Sequence, residues 1–276
     1  MFTEKIVAPF KSDVALTAYV IDSFSANKEG YVRPAVVVLP GGGYGMVSKR
    51  EGEAVALRFA SKGYHAFLLE YTVNRDKDKK AALNGQPLVD VSWAVSVIRK
   101  NAAQFFIDPD KIAVCGFSAG GHLAASLGVL HSEQGILDRL NLQPGDNKPN
   151  ALILAYPVIT GGEFAHKASF LNLLGQDSTP ESHQMMSLER YVSAETPPTF
   201  LWHTVEDAVV PVENSLLFVQ ALRKHAVPFE AHFFEKGRHG YSLATKETSS
   251  ENHPADGHIA KWFDLCADWL GDRFGV

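Results

Sequence analysis

Residues 112–130 read Ile-Ala-Val-Cys-Gly-Phe-Ser-Ala-Gly-Gly-His-Leu-Ala-Ala-Ser-Leu-Gly-Val-Leu. The run from Ile112 to Cys115 is uniformly apolar, the mark of a strand buried on both faces. It breaks at Gly116-Phe117-Ser118-Ala119-Gly120 and resumes as an apolar stretch with helical spacing. A strand that turns at once into a helix through Gly-x-Ser-x-Gly puts the serine on a tight, strained corner. Neighbouring chain must pass close to such a corner, so the flanking positions can carry almost no side chain. Gly116 and Gly120 meet that demand. The amide of Ala119 would open the helix and point at whatever Ser118 attacks, with the positive end of the helix dipole behind it.

Working outward, the chain alternates between strand-like and helix-like segments. Val14 to Ile21 alternates in polarity and is expected to be an edge strand, followed by a polar, turn-like Ser23 to Gly30. Ala35 to Leu39 reads as a buried strand that stops abruptly at Pro40-Gly41-Gly42-Gly43-Tyr44-Gly45. Glu51 to Lys62 has helical spacing at Val55, Leu57 and Phe59, with Gly63 as the stop, and Ala66 to Leu69 is a second buried strand. The mixed charge run Arg75 to Lys80 reads as solvated. A helix over Pro87 to Ala103 follows, and Asp108-Pro109-Asp110 is expected to turn into the strand before Ser118.

Downstream, Ser132 to Asn150 reads as a loop and Ala151 to Ala155 as a strand. Tyr156 to Pro198 shows no sustained period and is expected to be a small insertion over the sheet. Thr199 to His203 restores strand character, Val212 to His225 a helix, Phe229 to Phe234 a last strand, and Ile259 to Leu270 a closing amphipathic helix. The pattern predicts an α/β fold: one mostly parallel sheet with helices on both faces, in one domain over 1–276 with an insertion near 156–198.

Composition narrows the function. With 46% hydrophobic and 21% charged residues the chain is of ordinary globular type. A net charge of −5 without a polybasic cluster argues against nucleic acid or an anionic membrane as partner. The start lacks a charged-then-apolar leader pattern and no apolar run is long enough to span a bilayer, so a cytoplasmic location is expected. Cys115 and Cys266 belong to no metal or redox spacing and read as small buried apolar residues. The sequence leaves the oligomeric state open, a homo-oligomer included.

A serine hydroxyl needs a base to take its proton and a third group to orient that base. The loops after the late strands are where parallel strand ends would converge on Ser118. Asp207 lies in the loop after Thr199 to His203, ahead of a Val-Pro turn, and is preferred over its neighbour Glu206 as the acid. His239 lies in the loop after Phe229 to Phe234, beside Gly240, and is expected to be the base. The chain has eleven histidines, so position decides. His122 would be held away from the serine oxygen by its helix and reads as structural, as does His203. His253 and His258 fall in the approach to the last helix. No His or carboxylate spacing supports a metal, and the chemistry requires no cofactor. The glycine run offers backbone amides to an anionic oxygen without a clashing Cβ, so Gly42, Gly43 and Ala119 are expected to form an oxyanion hole. Tyr44 and Tyr241 adjoin the glycine loop and the base loop and are expected to wall the substrate pocket.

These motifs resemble the α/β-hydrolase esterases, and most closely the acetyl xylan esterase-like and feruloyl esterase-like group of carbohydrate esterases. The resemblance runs from about Val32 to the last helix. It rests on Pro40-Gly41-Gly42-Gly43-Tyr44, Gly116 to Ala124, Pro197 to Thr204, Asp207 with Val210-Pro211, and Gly237 to Gly240. It implies an α/β-hydrolase fold with Ser118 as nucleophile, His239 as general base and Asp207 as its orienting acid. The expected substrate is a short-chain ester, an acetylated sugar or oligosaccharide. Pro40 stands where many lipase-like relatives have histidine, which loosens the tie to that branch and leaves the amide donors in place. Two other readings of the fold stay open: a peptidase or dienelactone-type hydrolase, and a non-catalytic ligand-binding protein.

Overall fold

Among the residues described by the structure, a computed structural model covering all but 23–30, 77, 79, 80 and 276, eight strands form one sheet. The Ser23 to Gly30 turn and part of the Arg75 to Lys80 charge run therefore lie outside the described residues. The strands are β1 (Phe2–Ala8), β2 (Lys11–Val20), β3 (Arg33–Leu39), β4 (His65–Glu70), β5 (Ile107–Phe117), β6 (Ala151–Ala155), β7 (Thr199–Thr204) and β8 (Phe229–Phe234). Their order is β1-β2-β4-β3-β5-β6-β7-β8. β1 and β2 join antiparallel, and every pair from β4–β3 to β7–β8 is parallel. The carboxyl ends of β3, β5, β6, β7 and β8 thus share one rim.

The central strands are apolar on both faces, and their alternate residues feed two separate cores. On one side Ala35, Val37, Ile112, Val114, Leu152, Leu154 and Leu201 pack under α2 (Gln86–Lys100), α4 (Ala119–Leu130) and α8 (Glu213–Lys224). On the other, Val36, Val38, Ala113, Cys115, Ile153 and Trp202 pack under α1 (Glu53–Ser61) and α9 (Lys261–Phe274). Each Val, Leu or Ile among them removed from water contributes about 1.5–3 kcal/mol. Cys115 and Cys266 are both free thiols in the second core. Covering both faces with helices is what a parallel sheet requires, because neither face can be left wet. Among the described residues no helix is long and apolar enough to cross a membrane.

Four local expectations are corrected. The alternating strand near the N-terminus is β2, and it lies inside the sheet between β1 and β4, while β1 is the edge. β1 is exposed over most of its length, so it carries no burial pattern by which a strand could be read. Asp108-Pro109-Asp110 is not a turn before a strand but an irregularity within β5: Arg33 pairs with Ile107 and Ala35 already with Ile112. The segment 132–150 holds a short helix, α5 (Gln134–Leu140), and a four-residue helix, α3 (Ala102–Phe105), separates α2 from β5. The 156–198 insertion is helical in part, with α6 (Lys167–Leu174), α7 (Pro180–Gln184) and a 3-10 turn at Leu188–Arg190. It is fixed by buried apolar residues, Val158, Ile159, Phe170, Leu173, Leu188 and Val192 among them, and by side chains capping backbone. Asn214 on α8 accepts from the amides of Ile159 and Thr160 and donates to Phe164 O, and Asn172 on α6 donates to Gly43 O.

Candidate active site

Ser118 stands between β5 and α4 with φ 53° and ψ −118°, a conformation worth about 1–3 kcal/mol of strain for a residue with a Cβ. Three backbone bonds hold it there. Ser118 N donates to Ala155 O (3.0 Å), and Ser118 O accepts from His122 N (3.0 Å) and Val158 N (3.1 Å). The glycines around it are required by close approach. A Cβ on Gly116 would stand 2.1 Å from Gly120 O, and one on Gly120 would stand 2.2 Å from Leu39 O. The serine corner and the end of β3 are therefore pressed together, which places the glycine loop against Ser118.

Asp207 follows β7 and His239 follows β8, and the shared rim brings both to Ser118. His239 Nε2 lies 2.7 Å from Ser118 Oγ, and Nδ1 lies 2.6 Å from Asp207 Oδ2. A carboxylate can only accept, so Nδ1 carries the proton and Nε2 presents its lone pair to the serine hydroxyl. The His239 side chain is 16% exposed while that of Asp207 is fully buried, which leaves the imidazole reachable and the carboxylate dry. Glu206 points elsewhere: it is exposed and takes the amide of Gly237 at 3.4 Å.

Asp207 is held from four directions. Oδ1 accepts from the amides of Val209 and Val210, both at 2.9 Å. Oδ2, besides His239, accepts from His203 Nε2 at 3.2 Å. Burial by itself would push this carboxyl's pKa up. The hydrogen bonds from His203 and His239, with the His239 charge, outweigh it and hold the group well below the usual carboxylate range. His203 Nε2 also donates to Val210 O (3.0 Å), while its Nδ1 accepts from Ser215 Oγ (2.6 Å). Read from sequence only as structural, His203 sits directly behind the acid. His253 Nε2 donates to His239 O at 2.8 Å and steadies the base loop.

Three carbonyls of the glycine loop are taken up by donors elsewhere in the chain. Pro40 O accepts from Tyr71 Oη (2.6 Å), Gly43 O from Asn172 Nδ2 (2.7 Å) and Tyr44 O from Asn74 N (2.7 Å). The amides of Gly42, Gly43 and Ala119 take no acceptor among the described residues. Gly42 and Gly43 have φ of 126° and 62°, and a Cβ on Gly42 would stand 2.2 Å from Met46 O. The amide of Gly41 is already committed, donating to Glu51 Oε2 at 2.8 Å.

Glu51 is the residue that sequence reasoning missed. It is 4% exposed, and its second oxygen accepts from Tyr156 Oη at 2.7 Å. Tyr156 Oη in turn accepts from Ser242 N at 2.9 Å, and the Tyr156 ring lies edge-on to His239 with centroids 5.0 Å apart. Next to it, Arg50 donates to Gly240 O (3.0 Å) and Thr248 O (2.8 Å). Residues 50 and 51 thus tie the glycine loop to the base loop. In sequence Glu51 looked like the first residue of an amphipathic helix, and no local pattern marks it otherwise.

The two tyrosines fare differently. Tyr44 lines an apolar cavity of about 180 Å³ with His122, Leu123, Leu173, Met186 and Leu188, but that lining includes neither Ser118 nor His239. Its hydroxyl donates to His122 Nδ1 at 2.8 Å, and His122 Nε2 donates to Met186 O at 3.1 Å. Burial pushes the His122 pKa down to about 4, so the ring is neutral and structural at pH 7. Tyr241 sits in the second core, 8% exposed and edge-on to His253.

The BD-FAE family profile matches residues 21–222. Endo-1,4-beta-xylanase B of Butyrivibrio fibrisolvens is 44% identical over 215 residues, covering 78% of this chain and 33% of that protein. Acetylxylan esterase of Xylanibacter ruminicola is 29% identical over 217 residues, covering 76% of this chain and 42% of that protein. The chain therefore spans less than half the length of either relative. The crystal structure of an acetyl ester-xyloside bifunctional hydrolase from Caldicellulosiruptor lactoaceticus superposes with a TM-score of 0.79 at 38% identity, covering 94% of this chain and 88% of that one. The fold is that of the α/β hydrolases.

Proposed function

The chain belongs to the BD-FAE family, and from that premise we propose that it is a serine esterase removing acetyl groups from sugars or oligosaccharides, its residues working as one catalytic domain. The observation that carries the reading is the hydrogen-bonded line from Ser118 Oγ through His239 to Asp207, supported by amides of Gly42, Gly43 and Ala119 that take no acceptor among the described residues. Ser118 Oγ attacks the ester carbonyl carbon while its proton passes to His239 Nε2. The carbonyl oxygen becomes an oxyanion, and those amides would receive it. When the tetrahedral species collapses, the alcohol leaves with the proton from His239 Nε2 and the acyl group stays on Ser118. Water repeats the sequence, releasing the carboxylic acid and restoring the serine.

Asp207 keeps its charge throughout, because four donors favour the carboxylate, and it stabilises the imidazolium formed at His239. The acetylated-sugar assignment draws on what the similar proteins are named for: acetyl xylan ester, acetyl ester-xyloside and xylan chemistry. Steady-state kinetics across acetylated xylo-oligosaccharides, feruloyl esters, lactones and peptides test it. Acetylated xylo-oligosaccharides are expected to give the highest kcat/KM. A preference for peptides or lactones would overturn the assignment.

A further inference from the structure

The insertion brings one more titratable side chain to the site. His166 precedes α6, is half-buried, and faces the glycine loop: its Cε1 lies 4.0 Å from where a Cβ on Gly43 would stand. It also shares the field of the catalytic pair. Its pKa is lowered first by burial and then by the charge of His239, with Asp207 acting in the opposite sense, so the ring is neutral at pH 7. His239 must reach the oxygen of the departing alcohol in order to protonate it. A group beside the glycine loop and within the electrostatic reach of His239 is on the side where the alcohol portion of a bound ester would lie.

The ring is held in place for this. Nδ1 lies 2.7 Å from Ser169 Oγ, a residue with no exposed surface, and Ser169 N donates back to His166 O at 3.0 Å. On either side the chain is pinned, at Phe164 O by Asn214 (2.9 Å) and at Gly43 O by Asn172 (2.7 Å). Nε2 has no partner among the described residues and is not sealed in the interior. Which nitrogen holds the proton depends on whether Ser169 donates or accepts, so Nε2 presents either an N–H or a lone pair. A hydroxyl complements both forms, since it donates and accepts.

We propose that His166 recognises a hydroxyl on the alcohol portion of the substrate, making the site selective for acetates of sugars and polyols over acetates of plain alcohols. The inference rests on the esterase reading above and deepens it. It assigns a specificity role to a residue of the insertion, distinct from the triad and the oxyanion amides. The test compares kcat and KM for acetylated xylobiose and ethyl acetate in the wild type, His166→Ala and His166→Gln. His166→Ala is expected to lower the ratio of kcat/KM for the sugar ester over ethyl acetate about three- to tenfold, the worth of one neutral hydrogen bond. The loss falls mainly on KM, and glutamine, which keeps a donor and an acceptor, restores part of the ratio. A high wild-type ratio that His166→Ala leaves in place, or equal losses on both esters, overturns the role of His166 alone. A wild-type ratio near one, with both esters cleaved, overturns the sugar assignment and this role with it.

Discussion

Removing the Glu51 carboxylate should damage both the fold and the catalytic geometry, and the two effects can be measured separately. Glu51→Ala leaves two buried donors, Gly41 N and Tyr156 Oη, without the acceptor they share at 2.8 Å and 2.7 Å. Each orphaned buried group costs about 1–3 kcal/mol, so the pair amounts to roughly 4 kcal/mol. At about 2–4 °C per kcal/mol for a chain of this size, the melting temperature should fall by about 10 °C. Glu51→Gln preserves volume and one acceptor but aims an amide donor at another donor, so it should fall between wild type and alanine.

Catalysis should suffer beyond stability, because a Cβ on Gly41 would stand only 2.9 Å from Ser118 Cβ, so any drift of the glycine loop moves it relative to the nucleophile. Misplacing one oxyanion donor is worth about 10²–10³ in kcat. The assay is thermal unfolding alongside p-nitrophenyl acetate hydrolysis, the latter run well below each variant's melting temperature. A Glu51→Ala protein that melts within a degree of wild type, or that melts early yet keeps its full kcat, would refute the reasoning.

Two further perturbations probe the frame of the site. Gly120→Ala would set a Cβ 2.2 Å from Leu39 O and 2.5 Å from Pro40 O, both rigid backbone atoms, so more than about 3 kcal/mol of stability and nearly all activity should be lost. A urea midpoint equal to wild type would contradict the close approach. The second concerns pH. His122 titrates near 4 in the folded chain and near 6.5 when unfolded, so the unfolded state binds more protons between those values. Its contribution is complete above about pH 6.5 and declines as pH falls toward 4, by about 3 kcal/mol. His65, pushed down to about 4 by burial and then by the Arg33 charge, acts in the same direction. Urea unfolding from pH 7 to pH 4 should show the decline, with a smaller slope in His122→Asn; an unchanged slope would count against it.

What could be read in the sequence is what close contact or chain order makes obligatory. Gly41, Gly42, Gly116 and Gly120 stand where backbone passes at distances that exclude a Cβ, and Gly43 has a φ of 62°, so the residue type itself reports the geometry. Asp207 and His239 could be placed because each follows a strand, and parallel strands end on one rim. Glu51 shows the opposite case. Its partners, Gly41 and Tyr156, and through Tyr156 also Ser242, lie far apart in the chain and meet only after the sheet has formed. β1 escaped notice because an exposed edge strand needs no apolar alternation. The insertion did so because its buried apolar residues, Val158, Ile159, Phe170, Leu173, Leu188 and Val192, are spread over short elements without a sustained period, and Asn172 and Asn214 cap backbone between them. His166 belongs to that second kind, and only folding brings it beside Gly43.

The account depends on Ser118 carrying the acyl group between two half-reactions. Rapid quenching of the enzyme with p-nitrophenyl acetate, followed by peptide mass spectrometry, tests this directly. An acetyl group mapped to Ser118, formed in a burst of up to one equivalent and absent from Ser118→Ala, is the predicted result. Continued turnover in Ser118→Ala, or acetylation at another residue at the rate of turnover, would contradict it.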